Sequence, residues 1–187
     1  MNRKKPTSAD NQQERPKQYL CGYVVGLVDG EGSFHIAFSK RDDLSASISV
    51  MPEFHLSQHC ESKQVLELVQ KLFGCGYIKE NHPKSKDKTL VYIIRNRKDL
   101  LLRVIPFFET YSLKTKKQKD FEIFAQIVRL VHQGQHRNIK GLLKIVDLAY
   151  KMNQSGQRRI RKKEDLITAL ESSETIRRTR LNKARKT

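Results

Sequence analysis

The stretch Gly22–Phe38, GYVVGLVDGEGSFHIAF, decides how the chain is read. It begins as an apolar run with two small gaps, Gly22 and Gly26, and then turns acidic at Asp29 and Glu31. Upstream, Pro16 suits the first turn of a helix, because a proline there removes only a donor that has no intrahelical partner. The helix predicted from Pro16 runs through KQYLCGYVVGLVD, and DGEG stops it because glycine supplies the conformations of a helix exit. Both carboxylates then fall at the helix C-terminus, where the backbone dipole disfavours negative charge. The following SFHIAFSK alternates Phe34, Ile36 and Phe38 against His35, Ala37 and Ser39, the period of a half-buried strand.

Further along the chain, SASISVMPEFHLS is a second strand through Ile48, Val50 and Phe54, with Pro52 expected at a bulge or an edge. ESKQVLELVQKLFG is an amphipathic helix with Val65, Leu68, Val69 and Leu72 on one face and Gly74 beyond its end. CGYIKEN and KTLVYIIRN are two further strands joined by the basic loop HPKSKDK. RKDLLLRVIPFFET is a short helix that Pro106 interrupts or ends. KKQKDFEIFAQIVRLVHQG is a longer one, with Phe121, Phe124, Ile127, Val128 and Val131 inward and Gly134 as its stop. The order α-β-β-α-β-β-α-α makes an α+β domain, two hairpins covered by helices on one face. The other face of the sheet carries small, polar or basic residues and is either wet or a binding surface. The expected organisation is a disordered polar arm at 1–15, a core domain at 16–135 and a helical, basic extension at 136–187. No internal repeat occurs, and the VVGLVDGEG pattern is present once.

The chain of 187 residues has 37 Lys and Arg against 20 Asp and Glu, a net charge of +17 that favours a polyanionic partner. No apolar run reaches the ~20 residues of a membrane-spanning helix, so nucleic acid is preferred over membrane. MNRKKPTSADNQQERPK has no apolar segment of the signal-peptide kind. Cys21, Cys60 and Cys75 form no Cys-x-x-Cys pair, which fits free thiols in a reducing compartment. His55/His59 and His132/His136 have a zinc-like spacing. The first pair lies near a strand end, where that spacing does not align two side chains, the second flanks a helix-breaking glycine, and no carboxylate or cysteine stands at ligand spacing from either, so no zinc site is expected.

Val24–Gly32, VVGLVDGEG, resembles the LAGLIDADG motif of homing endonucleases: glycine third, Leu and Val after it, Asp sixth, an acid eighth and Gly ninth. The preceding Tyr-rich helix, the strand GSFHIAF directly after, and the later runs YIIRNRKDL and LKTKKQKDF are similar to landmarks of the single-motif branch. The resemblance covers roughly Lys17 to Val131, in the element order derived above. It implies an αββαββα fold whose saddle-shaped antiparallel sheet sits on DNA, with extra C-terminal helices. It also implies that motif helices pack across a two-fold axis. Gly22 and Gly26, four residues apart on one helix face, then let two backbones approach.

The resemblance assigns metal binding to Glu31 and the carbonyl of Gly30, with Mg²⁺ as cofactor and Mn²⁺ as substitute, and leaves Asp29 a structural role at the helix end. Most relatives have Asp where this chain has Glu31. Gln58 matches the polar residue that positions the water network, an ordinary helix cap being its competing reading. Lys116 matches the lysine near the scissile phosphate, although Lys114, Lys117 and Lys119 allow a slipped register. Relatives place a basic residue four positions after the glutamine. Here Ser62 stands there with Lys63 beside it, and Lys63 is the substitute candidate.

The outward strand positions are the expected DNA readers, since a β-ribbon fits the major groove. These are His35, Ala37, Ser39 and Arg41 on the first strand, Glu53 and His55 on the second, Lys79 and Asn81 on the third, and Arg95 on the fourth. Basic segments, among them Arg158, Arg159 and Arg161, are expected on phosphates. The reading is a Mg²⁺-dependent, site-specific, double-strand DNA homing endonuclease of intron mobility. One motif per chain implies a homodimer on a long pseudo-palindromic target. It would act where the DNA lies, in a bacterial cytoplasm or an organelle such as a chloroplast or mitochondrion, with no membrane partner. The alternatives are an intron-RNA splicing maturase or a non-cleaving DNA-binding protein of the same fold. A general basic nucleic-acid coat explains the charge but not the motif.

Overall fold

In the computed structural model, residues 8–40, 48–81, 88–153 and 162–172 are described. Helix α1 spans Ser8–Glu31 and runs directly into β1, Gly32–Lys40. It begins eight residues before the expected start at Pro16, so residues 8–15 are helical rather than a disordered arm. SADNQQE has no apolar period to announce a helix, but Ala, Gln and Glu extend a helix at little cost once it is nucleated downstream.

Strand β2 is Ile48–His59, and after a single 3₁₀ turn helix α2 spans Lys63–Phe73. Gly74, in the left-handed conformation at φ 62°, ends α2 as its spacing predicts. Strands β3, Tyr77–Glu80, and β4, Thr89–Ile94, complete an antiparallel sheet in the order β1-β2-β4-β3. Pro52 pairs with Ile36 in the β1–β2 ladder, whereas β2 meets β4 only from Phe54 onward. Pro52 therefore lies where β2 has one neighbour, the edge-like position that tolerates a missing donor.

The chain from Arg97 to Thr110 is helical throughout: α3, Arg97–Asp99, a π turn at Leu100–Val104, and α4, Ile105–Thr110. Pro106 does not end this helix. It falls at the start of α4, just after the widened turn, and there its missing N–H disturbs least. Helix α5 is Lys117–His132, and α6, Ile139–Ala149, opens with Asn138 Oδ1 accepting from Gly141 N at 2.8 Å. A last helix, α7, is described over 163–172.

The helices share the core under one face of the sheet. Val24, Val25 and Val28 of α1 meet Phe34, Ile36, Phe54, Leu56, Tyr92 and Ile94 of the sheet and Phe108, Phe121 and Phe124 of the covering helices. Phe34 is the hub, with ring centroids 5.2–5.6 Å from those of Phe54, Phe108, Phe121 and Phe124. Leu142, Ile145, Val146, Ala149 and Met152, and Leu166 and Leu170 of α7, are buried in the same cluster. Among the described residues, the region after 135 thus shares the core of the 16–135 domain.

Candidate functional site

Four carbonyls at a helix C-terminus lack intrahelical partners, and the dipole makes that end negative. At the end of α1 a lysine meets this need. Lys117 Nζ, in the first turn of α5, donates to Val28 O at 2.7 Å, Asp29 O at 2.9 Å and Gly30 O at 3.3 Å. Burial pushes the Lys117 ammonium below its usual pKa, and Asp29, Glu31 and Asp120 nearby pull it back only in part. The Asp29 carboxylate accepts from Lys114 N at 2.7 Å, Thr115 N at 3.3 Å and Thr115 Oγ1 at 2.8 Å. Asp29 is thereby committed to fixing the 114–117 segment to the helix end.

Glu31, two residues on, is exposed. Gly32 follows at the junction with β1, where a Cβ would lie 2.6 Å from Val28 Cγ1 and 2.8 Å from Val28 O. Only glycine fits so close to the last helical turn. One face of α1 is sealed in the core. The opposite face presents Tyr19, which is 79% exposed, Tyr23, and Gly22, Gly26 and Gly30, with open space where each glycine's Cβ would project.

The other predicted catalytic residues stand in different settings. Gln58 is half-buried on β2, two residues beyond Leu56, the partner of Gly32, so the ladder brings it alongside the α1 terminus. The helix cap that is the competing reading of Gln58 belongs to His59, whose Nδ1 accepts from Glu61 N at 3.5 Å. Lys116 is exposed immediately before α5, and its neighbour Lys117 is the lysine that reaches the helix end. Lys63 is exposed on α2 and pairs with Glu67 at 2.9 Å. Sequence reasoning does not single out Lys117 or Thr115. Their signal is the T-K-K run itself, which offers two lysines and no period to choose between them.

On the outer face of the sheet His35, Ala37 and Ser39 are half-buried, Lys79 and Arg95 are exposed, and Asn81 donates its N–H to Thr89 O at 2.9 Å. Arg41, Arg158, Arg159 and Arg161 lie outside the described residues. Glu53 corrects the expectation of an exposed base reader. It is 5% exposed, and its Oε1 pairs with Arg95 Nε while its Oε2 takes His55 Nε2, each at 2.7 Å. Burial works to raise its pKa, but the His55 hydrogen bond and the positive charges of Arg95, His55 and His35 outweigh it and hold the carboxyl below its usual value.

Among the described residues no three or more His, Cys, Asp or Glu gather as a metal site. One chain offers the exposed Glu31 carboxylate and the Gly30 carbonyl, the longest of the three Lys117 contacts. Both are hard oxygen donors, suited to a Mg²⁺-like ion that completes its shell with water and phosphate.

The geometry thus joins a helix ending in two acids, a lysine clamp and an antiparallel sheet whose outer face carries His35, Lys79 and Arg95. The model of the LAGLIDADG endonuclease family matches residues 24–128, and the chain belongs to that family. DNA endonuclease I-CeuI of Chlamydomonas moewusii is 31% identical over 65% of this chain, which spans 56% of that relative's length. The solved homing endonuclease I-TnaI is 37% identical, with a TM-score of 0.70 over 82% of this chain and 97% of its own. The archaeal intron-encoded homing endonuclease I-Vdi141I, solved in complex with DNA, is 25% identical, with a TM-score of 0.77 over 85% of this chain and 99% of its own. Among the described residues, no helix is long and apolar enough to cross a membrane.

Proposed function

We propose that this chain is a site-specific double-strand DNA endonuclease of intron mobility, acting as a homodimer on a long pseudo-palindromic target. The observation that carries the reading is the division of labour at the end of α1. Asp29 is consumed by the 114–117 segment, and Glu31 is left exposed beside a helix face open at Gly22, Gly26 and Gly30. A second copy of α1 fits such a face, because glycines let two backbones approach. A two-fold pair presents two Glu31 carboxylates, one for each strand.

Glu31 and the Gly30 carbonyl would hold a divalent cation, Mg²⁺ or in its place Mn²⁺, which supplies a polarised phosphate and an activated water. The chain's own part is positional. Lys117 and Asp29 fix the backbone of residues 28–30, Gln58 stands beside the helix end to order water, and Lys116 lies at the head of α5 to face the phosphate. Outward sheet residues read bases, and basic segments contact phosphates. The protein would act wherever the target DNA resides, in a bacterial cytoplasm or an organelle.

The test is cleavage of a randomised duplex library with and without Mg²⁺, followed by sequencing of the ends. The reading expects metal-dependent cuts in both strands at one long site with approximate two-fold symmetry. A maturase is the second reading, favoured by Ser62 in place of the usual basic residue and by the engagement of Lys63 with Glu67. Tight intron-RNA binding with no DNA cut would select it.

A further inference from the structure

The outer face of the sheet carries an ionic row that crosses it, built around the buried Glu53. His35 on β1 lies directly opposite Glu53 on β2. One step past the last β2–β4 pair, Phe54 with Ile94, Glu53 meets Arg95. Arg95 Cζ lies 5.9 Å from the centroid of the Tyr77 ring, on β3. His55, next outward on β2, takes the second oxygen of Glu53, and its ring centroid is 6.0 Å from that of His35. Three strands and the residue just past β4 thus contribute to one row, with a carboxylate at its centre.

A buried carboxylate on a surface meant for a polyanion is costly unless it organises its partners. Here it pins Arg95 at Nε while the ring of Tyr77 supports the guanidinium, and the side chain remains 51% exposed. A guanidinium held at Nε keeps both Nη groups for a second planar partner. The two acceptors of guanine in the major groove, O6 and N7, match that fork.

We infer that Glu53 is a positioning residue for sequence choice: it does not read a base itself but fixes Arg95 to read one guanine in each half-site. The inference rests on the DNA-endonuclease reading above. It has a consequence opposite in sign for two quantities. Removing the anion weakens discrimination at one position, yet raises affinity for DNA of arbitrary sequence, because the interface gains a net positive charge.

The experiment selects a randomised duplex library on the full-length chain in EDTA, and then measures binding to single-base variants of the recovered site and to unrelated DNA over a salt series. Wild type is expected to prefer guanine at one position per half-site by on the order of 10-fold or more. Glu53→Gln should relax that position alone, and bind unrelated DNA more tightly with a steeper salt dependence. Arg95→Lys, which keeps the charge but not the fork, should lose the same guanine preference and leave the other positions intact. That variant also decides the matter if Glu53→Gln fails to fold. A wild-type-like profile for Glu53→Gln, a uniform loss at all positions, or a guanine preference that survives in Arg95→Lys would overturn the inference. A wild type without any sequence preference would instead remove the endonuclease reading on which it rests.

Discussion

The end of α1 and the outer face of the sheet both place carboxylates among positive groups, and they use them in opposite ways. On the sheet, Glu53 has both oxygens engaged and is buried, so its charge is fully committed to Arg95 and His55. At the helix end the commitment is divided. Asp29 binds two backbone N–H groups and a hydroxyl, Lys117 takes up the carbonyls, and Glu31 remains exposed. A committed acid organises neighbours, whereas an exposed acid beside fixed carbonyls is available to a cation that arrives with substrate. In the function proposed above, the same distinction within the motif separates a structural acid, Asp29, from a metal-binding one, Glu31.

The largest effect that could undo this distinction is expected from Glu31→Gln. A cation at a reacting phosphate stabilises charge by several kcal/mol, so cleavage should fall by roughly 100-fold or more while DNA binding persists. Gel-based cleavage and binding assays on one duplex read both. Next in size, Gly26→Leu places a bulky side chain on the open face of α1 and should shift the protein from dimer toward monomer in sedimentation. Double-strand cuts should then give way to nicks or to no cutting.

A smaller effect concerns the lysine clamp. Lys117→Met removes a charged donor from three carbonyls and should cost about 2 kcal/mol, read as a melting temperature lowered by about 5 °C. No loss of stability would mean that the carbonyls find water as readily.

The smallest effect is a pH dependence at Glu53. Its carboxyl is held below the usual 4.5. The stability it contributes is therefore present above that value and lost as pH falls through the lower folded value. Wild type should lose more stability than Glu53→Gln on acidification below pH 4.5 in chemical denaturation.

Periodicity makes β1 legible, because alternation in SFHIAFSK says which face is buried, whereas TLVYII is a continuous apolar run buried on both faces. Periodicity makes α5 legible for the corresponding reason, whereas α2 buries Leu66, Val69 and Phe73 and exposes Leu68 of the face expected for it. The upstream turns of α1 are not legible, since SADNQQE has no apolar face and owes its helicity to the apolar turns downstream of it. The docking of α6 is equally hidden. Leu142, Ile145, Val146 and Ala149 announce an amphipathic helix, but no local pattern names the surface that covers it. At the site, the motif locates Asp29 and Glu31. The third party, Lys117, comes from a run of similar lysines 86 residues after Glu31, and only tertiary contact distinguishes it. Glu53 eludes a sequence reading for a related reason. Strand parity gives the face of a side chain, but whether a charge on that face is solvated or paired depends on Arg95 and His55, which the fold brings to it.

The most direct test sets Glu31→Gln beside Asp29→Asn in one experiment that records melting temperature, DNA affinity and cleavage with Mg²⁺. Glu31→Gln is expected to melt and bind like wild type and not to cut. Asp29→Asn should melt lower, because an amide cannot serve the Lys114 and Thr115 donors as a carboxylate does, and should retain cleavage in the fraction that stays folded. Wild-type cleavage by Glu31→Gln, or an unchanged melting temperature for Asp29→Asn, would contradict the division of roles between the two acids.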